Sequence, residues 1–553
     1  MHKLRNASIG LLLLTVLAVP AAAQISQGGT PVSILKSLPK DIPTRTMESI
    51  NLPTLLVEDS LEAADGLPYR FGYPFDVKYN LSNSGRWDEL EDGSRVWRLR
   101  ISAPGAYSIN LLYDRFVMPK GARMWVYSED QSMIIGAFTE LNNKSHGELS
   151  TAPVKGDVTI VEYYEPVEVL GQGEVSISRI VHAYRDIFNY GGTHAEKDYG
   201  ESGYCNNNIN CSVGDDWQNE KRGVAMVLLS GGYRWCSGSL VNNVRQDQTP
   251  YFLTANHCLG SESTWLFMFK YESPTCTNQD GPTGYTISGS TLRASNSTAD
   301  FGLVQLSQSV PDNYDPYYNG WSNINTAPTS SVAIHHPSGD IKKISFDYDA
   351  ATSADYLETS GTTHWRIIQW DDGTTEGGSS GSPLFDQNHR VVGQLHGGYA
   401  SCYSLTSDWY GKFSLSWSIG SSSSGRLRDW LDPDNTGATT LDGLDPFAGI
   451  TIDHTPLIDT RDTLNSYRVE AVITSASDLI EDSLLVYYNA GSGWQELTMI
   501  PGASTDEFYA DIPAQSPGDS IYYYIHARDL SGHEATTDTY SFRVIDYEMT
   551  VMP

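Results

Sequence analysis

The chain has 553 residues, with 36 Lys+Arg against 67 Asp+Glu and a formal net charge of −31. So acidic a surface argues against nucleic acid and anionic membranes as partners, because both repel it. The length suits about three domains, and frequent Gly, Ser, Thr and aromatic residues point to β-rich globular structure rather than disorder.

Residues 1–23 read as an export signal. His2, Lys3 and Arg5 make a positive start, 9–19 are apolar, and Ala21-Ala22-Ala23 offers a small-residue cleavage site before Gln24. The run is short for a bilayer span and no other stretch approaches that length, so the mature protein is expected to be soluble, secreted and extracellular. Residues 24 to about 60 look irregular. Strand-like segments then follow at 96–101, 107–111, 124–127 and 158–161, separated by Pro, Gly and Asn-rich turns, which predicts a β domain without cysteine. The polar, Gly-rich stretch 190–204 reads as an exposed linker with Lys197 in its middle.

Between 198 and 445 the pattern is many short strands, at 223–229, 251–254, 266–271, 302–306, 332–334 and 391–395, which favours a barrel or sandwich. A short helix at 425–431 precedes Asp432-Pro433 and closes the domain. From 446 to 553 alternation returns at 467–473, 484–488, 521–525 and 540–545, as in an immunoglobulin-like or fibronectin-like sandwich; a spacer or binding module is expected there. All six cysteines lie between Cys205 and Cys402. In an exported chain that argues for disulfides, and the lack of any Cys-x-x-Cys pair argues against a metal. Spacing alone leaves the pairing open.

Three stretches of the middle region carry chemistry. An apolar strand, 251–255, delivers His257 at its end. Asp300 stands at the mouth of another, 301–306. Ser380 sits in a turn of small residues, 375–385. A serine hydroxyl needs a base to become a nucleophile, and the base needs a carboxylate to orient it. Small residues let the backbone turn tightly, so that the N–H groups of Gly378 and Ser380 converge on one point, as an oxyanion hole requires.

With Thr254-Ala255-Asn256-His257-Cys258 and Gly378-Ser379-Ser380-Gly381-Ser382-Pro383, the chain resembles the trypsin-like, chymotrypsin-fold serine proteases. Within them it is similar to the bacterial lysyl endopeptidases, of the Achromobacter protease I kind, through 236–243, Ile334-His335-His336-Pro337, 375–383, 394–398 and Ser407-Asp408-Trp409-Tyr410-Gly411. The resemblance implies an all-β chain: signal peptide 1–23, β-rich propeptide 24–197, double β-barrel protease domain 198–445, and a β-sandwich from 446 to 553. By matching motif His257 is the general base, Asp300 its orienting carboxylate, Ser380 the nucleophile, and Gly378 with Ser380 the oxyanion-hole donors. Ser379 stands where animal trypsins carry the aspartate that pairs with the new N-terminus, so activation is expected to work otherwise, most simply by clearing the pro-domain from the cleft.

Thr374 occupies trypsin's pocket-aspartate position, and Asp408 matches the carboxylate that this family uses for lysine. His396 matches a second histidine beside the first, and Tyr356, counted back from Thr362-Thr363-His364, falls at the family's stacking Trp. His335 and His336 are read as structural. The implied disulfides are Cys205–Cys402, Cys211–Cys276 and Cys236–Cys258, and the implied propeptide cleavage site is Lys197. No cofactor or metal is expected, and the partners are protein or peptide substrates and the chain's own pro-domain, in a monomer. Two other readings stay open: the same protease with Arg-tolerant specificity, and a secreted binding or adhesion protein built around a silent protease fold.

Overall fold

The computed structural model describes residues 26–64, 70–188, 190–191, 202–229, 234–475, 478–502, 504, 506–530 and 533–545; the expected signal segment and Lys197 lie outside them. The N-terminal domain is two sheets. One runs Thr44–Thr46, Arg95–Ser102, Val158–Glu165, Arg123–Ser128, Ile134–Phe138, and the other Gly72–Asn80, Glu174–Ala183, Ser108–Val117, Leu149–Ser150. Leu99, Val126 and Val161 of the first meet Ile109, Leu111 and Ile177 of the second in one core. The segment before about 60, expected to be irregular, contains a helix, Leu52–Ala64. Its buried Asp59 takes Arg70 at 2.8 Å and Arg185 at 2.6 Å, the second 126 positions along the chain and so beyond a local reading.

The middle region is built on two further sheets. The first has strand order Thr286–Ser288, Leu266–Met268, Val224–Leu229, Arg234–Leu240, Tyr251–Ala255, Phe301–Leu306, Ser290–Asn296. The second follows the path Asn207–Asn208, Lys343–Asp347, Ser331–His335, Pro383–Phe385, Val391–Gly398, Asp408–Lys412, His364–Ile367, Thr352–Ala354. Three disulfides join Cys205 to Cys402, Cys211 to Cys276 and Cys236 to Cys258. The C-terminal region is a sandwich of a four-stranded and a five-stranded sheet with a core of its own, from Ile450 to Val544.

The first middle sheet is apolar on both faces. Along Val224–Leu229, Ala225 and Val227 point into one core while Met226 and Leu228 point into another. That second core is completed by Phe71, Ala152, Ala183, Ile187 and Phe188 of the N-terminal domain, with Trp235, Leu266, Met268 and Tyr271 of the middle region. Polar ties follow the same seam: Ser150 Oγ donates to Thr264 O at 2.7 Å, Tyr271 OH donates to Ile187 O at 3.2 Å, and Lys144 Nζ donates to Ser288 O. None of the described hydrogen bonds, ion pairs or ring contacts between the two domains involves His257, Asp300, Ser380 or Asp408. Among the described residues the N-terminal domain lies not in the cleft but over the outer face of the first sheet, where two apolar faces meet.

Candidate active site

His257 and Asp300 are brought together by strand register. Tyr251–Ala255 pairs antiparallel with Phe301–Leu306, with Ala255 opposite Phe301, so the turn after one strand meets the turn before the other. Asp300 adopts φ 50°, a left-handed conformation that Asp tolerates better than most residues. Its backbone carbonyl accepts from Asn256 N at 2.8 Å, and its Oδ1 accepts from His257 N at 3.0 Å. The other oxygen, Oδ2, lies 2.8 Å from His257 Nδ1. Burial raises the Asp300 carboxyl above its ordinary range, opposed by these bonds from His257.

The Ser380 turn is held from beneath by Ser237. Ser237 N donates to Ser380 O at 2.8 Å, and Ser237 Oγ donates to Gly378 O at 3.0 Å. With both carbonyls pinned inward, the Gly378 and Ser380 amides find no acceptor among the described residues. Gly378 has φ 94°, and any Cβ there would strike the Trp235 indole. Gly381 likewise abuts Thr254 and Ala255, which sets the turn against the strand that ends at His257. Among the described residues, no hydrogen bond joins Ser380 Oγ to His257.

Ser379 points away from the cleft and is fully buried. It pairs with His335 Nδ1 at 2.7 Å, while His335 Nε2 meets Ser345 Oγ at 3.1 Å and that hydroxyl donates to Thr374 O at 2.7 Å. Burial pushes His335 down to about 3, so it is a neutral strut, and His336 behaves alike. Glu376, two residues before Gly378, ties this turn to the segment around Cys205. Its Oε1 accepts from Gly203 N at 2.8 Å and Asn206 Nδ2 at 2.9 Å, beside the Cys205–Cys402 bridge. The start of the protease domain is thereby tied to the oxyanion turn without a free N-terminus.

Asp408 opens the strand Asp408–Lys412 and is 1% exposed. Its Oδ2 accepts from Thr375 Oγ1 at 2.6 Å and from Trp370 Nε1 at 2.7 Å. Burial raises its carboxyl despite those bonds, and no cation within salt-bridge distance is found among the described residues. Gly398 lies so close to this carboxylate that a side chain there would collide with it.

His396 lies between two rings. Tyr356 stacks on one side with centroids 3.5 Å apart and planes 8° off parallel; His257 lies on the other at 5.7 Å and 20°. His396 Nε2 is 3.7 Å from Asp300 Oδ2, and Nδ1 is 3.0 Å from Nε2 of His364. Burial pushes His396 down to about 3 and His364 to about 4, so both stay neutral at ordinary pH. His364, Trp235, Trp370, Ser237 and Glu376 were not singled out from the sequence. His364 follows Thr362-Thr363, and its contact with His396 is not written in that local pattern.

Residues 199–411 match the family model described as lysyl endopeptidase, C-terminal domain. The lysyl endopeptidase of Pseudomonas aeruginosa strain PAO1 is 26% identical over 358 residues, which cover 59% of this chain and 75% of that protein. The apo MamO protease domain of Magnetospirillum magneticum is 11% identical with a TM-score of 0.26, covering 37% of this chain and 100% of that one. A Br derivative of BhCBM56 is 20% identical with a TM-score of 0.13, over 16% of this chain and 91% of that one. The middle of this chain is thus similar to a lysyl endopeptidase C-terminal domain, which supports a serine endopeptidase acting on proteins or peptides.

Proposed function

We propose that the protein is an exported endopeptidase that cleaves on the carboxyl side of lysine through an acyl-enzyme. Ser380 Oγ attacks the scissile carbonyl. His257 Nε2 takes the hydroxyl proton and returns it to the leaving amine, while Nδ1–H stays on Asp300 Oδ2. The amides of Gly378 and Ser380 receive the oxyanion. His396 and Tyr356 hold the outer face of the imidazole.

The observation that carries the lysine reading is Asp408, a buried carboxylate held by three neutral donors, Thr375, Trp370 and the Ala400 backbone, and lacking a cation among the described residues. Burying a charge without a counter-charge costs several kcal/mol, and a substrate ammonium would supply that partner. Lys brings a compact point charge and Arg a broad planar fork, so a pocket closed at Gly398, Thr375 and Trp370 favours Lys. Digestion of one denatured protein tests this: cleavage after Lys is expected with little after Arg, and Asp408→Asn should lower kcat/KM for lysyl substrates by about 100-fold or more. Equal cleavage after Lys and Arg supports the Arg-tolerant reading. An organophosphonate that fails to label Ser380 supports the silent fold.

In the same reading the chain is made with signal 1–23 and pro-domain 24–197, and is cut after Lys197, a residue of its own preferred type, by the enzyme itself. The tie from Glu376 to residues 203 and 206 supports a site that is assembled before that cut. N-terminal sequencing of the secreted wild type and of Ser380→Ala is the measurement. Wild type should begin at Asp198 and Ser380→Ala should stay uncut; processing that persists in the mutant excludes self-cleavage, and another start excludes Lys197.

A further inference from the structure

We propose that His257, Asp300 and His396 form an inhibitory binding site for a divalent cation of the zinc class. The proposal rests on the reading of His257 as general base. Two imidazoles and one carboxylate offer ligand atoms that lie within 4.8 Å of one another. Asp300 Oδ2 is the shared vertex, 2.8 Å from His257 Nδ1 and 3.7 Å from His396 Nε2. A tetrahedral ion with bonds of about 2.0–2.2 Å sets its ligands roughly 3.3 Å apart. The two distances straddle that value, and the third edge, between the two ring nitrogens, lies within 4.8 Å, so the imidazoles would close on each other by up to about 1.5 Å to seat the ion. His257 and His396 side chains are 22% and 20% exposed, which leaves an approach from the cleft and room for a fourth, water ligand.

What distinguishes this cluster from a chance meeting of histidines is how His396 is oriented. Thr363 Oγ1 donates to Asp355 Oδ1 at 2.9 Å, so toward His364 Nδ1, 2.7 Å away, it acts as acceptor. His364 therefore carries its hydrogen on Nδ1 and presents a bare Nε2. That nitrogen accepts from His396 Nδ1–H at 3.0 Å, which leaves the lone pair of His396 Nε2 facing Asp300. A ligating histidine typically donates its other N–H to a fixed acceptor, and such partners commonly govern affinity by 10–100-fold. Asp300 is fixed as well, through Oδ1 on the His257 amide. Two imidazoles with one oxygen suit Zn²⁺ and disfavour Ca²⁺ and Mg²⁺, which want oxygen shells.

Inhibition follows from the tautomer. An ion on His257 Nδ1 takes the lone pair there, so the ring hydrogen moves from Nδ1 to Nε2. Asp300 stays anionic and His396 neutral, so no proton is gained or lost overall. With Nε2 protonated, His257 cannot accept the Ser380 proton, and the wrong imidazole tautomer costs about 10⁴ in turnover in a related triad.

The test uses full-length Ser380→Ala, whose metal binding is independent of turnover. Titration calorimetry with Zn²⁺, and the visible spectrum of Co²⁺, should report one tetrahedral site that His396→Gln weakens by at least about 10-fold and His364→Gln by about 10–100-fold. His364→Gln keeps all three ligands, so it guards against a fold defect at His396. Unchanged isotherms in both variants overturn the site. Binding of Ca²⁺ or Mg²⁺ with equal strength overturns the assignment of ion class. On wild type, Zn²⁺ should inhibit hydrolysis of a small lysyl ester over the same concentration range and EDTA should restore it; binding without inhibition overturns the tautomer argument. Wild type inactive in EDTA, with Co²⁺ still bound by Ser380→Ala in EDTA-free buffer, refutes the proposed function and leaves the ion site standing.

Discussion

Two β domains without cysteine flank the protease domain, and they bury their strands by different rules. In Tyr467–Thr474 of the C-terminal sandwich, buried and exposed residues alternate without a break, and all core partners belong to that domain. In Val224–Leu229 of the protease domain every residue is buried, because the N-terminal domain covers the face that an isolated sheet would give to water. The C-terminal sandwich is an appendage. It follows Asp445, whose carboxylate receives both guanidinium nitrogens of Arg222 at 2.8 and 2.7 Å. The N-terminal domain shares a core with the enzyme, and the sharing reaches the chemistry: Phe71 packs on Trp235 with ring centroids 6.0 Å apart, and Trp235 lies directly beneath Gly378.

The sharpest way to break this contrast is to delete residues 24–197. Met226, Leu228, Trp235, Leu266 and Met268 would then face water during folding. Refolding should yield at least about 100-fold fewer titratable active sites, since several kcal/mol of shared core is lost, and the N-terminal domain added in trans should restore them. Normal refolding without it would dissolve the distinction. A finer probe compares Phe71→Ala with Phe542→Ala. Each should cost about 3–5 kcal/mol. By calorimetry the first should lower the protease transition and the yield of active sites, and the second only the transition of the sandwich; equal effects on both would mean the domains are one cooperative unit.

Acid gives a smaller, graded effect on the protease side. His335 and His336 are fully buried, and burial holds both at about 3 against the ordinary 6.5. Folded, they stay neutral; unfolded, they take up protons as pH falls below 6.5. Their contribution is therefore complete above 6.5 and is lost as pH falls toward 3, at up to about 1.4 kcal/mol per pH unit for each ring. Urea midpoints of the protease transition should decline steadily from pH 7 to pH 4, and a flat profile would refute two neutral buried rings. The smallest expected effect belongs to deletion of 446–553, which should leave kcat/KM on a short lysyl ester within about twofold, as for independent sites. A tenfold loss would make the sandwich part of the enzyme.

Much of this organisation could be read in advance. The alternation at 467–473 and the apolar run at 223–229 are both present in the chain, and a run without polar breaks already says that a strand is covered on two sides. What covers it was not readable, because Phe71, Ile187 and Phe188 look like any other core residues of their own domain. The helix Leu52–Ala64 was missed for a related reason: its Asp59 is held by Arg70, beyond the end of the helix, and by Arg185, 126 positions away. Around the site, His257, Asp300 and Ser380 announced themselves through small or apolar neighbours. His364 did not, since its part depends on a contact with His396, 32 positions away, and on a hydroxyl already committed to Asp355.

By itself the chain of residue types determined which side chains can do chemistry and which strands would be buried on one face or two, because both are written in local pattern. Folding decided the rest: that one neighbour domain is welded to the enzyme and the other hangs from it, that Asp408 is enclosed with only neutral donors, and that His396 turns a bare nitrogen toward Asp300. Those outcomes depend on which groups end up within about 3 Å of one another, and register and packing set such distances where spacing along the chain does not.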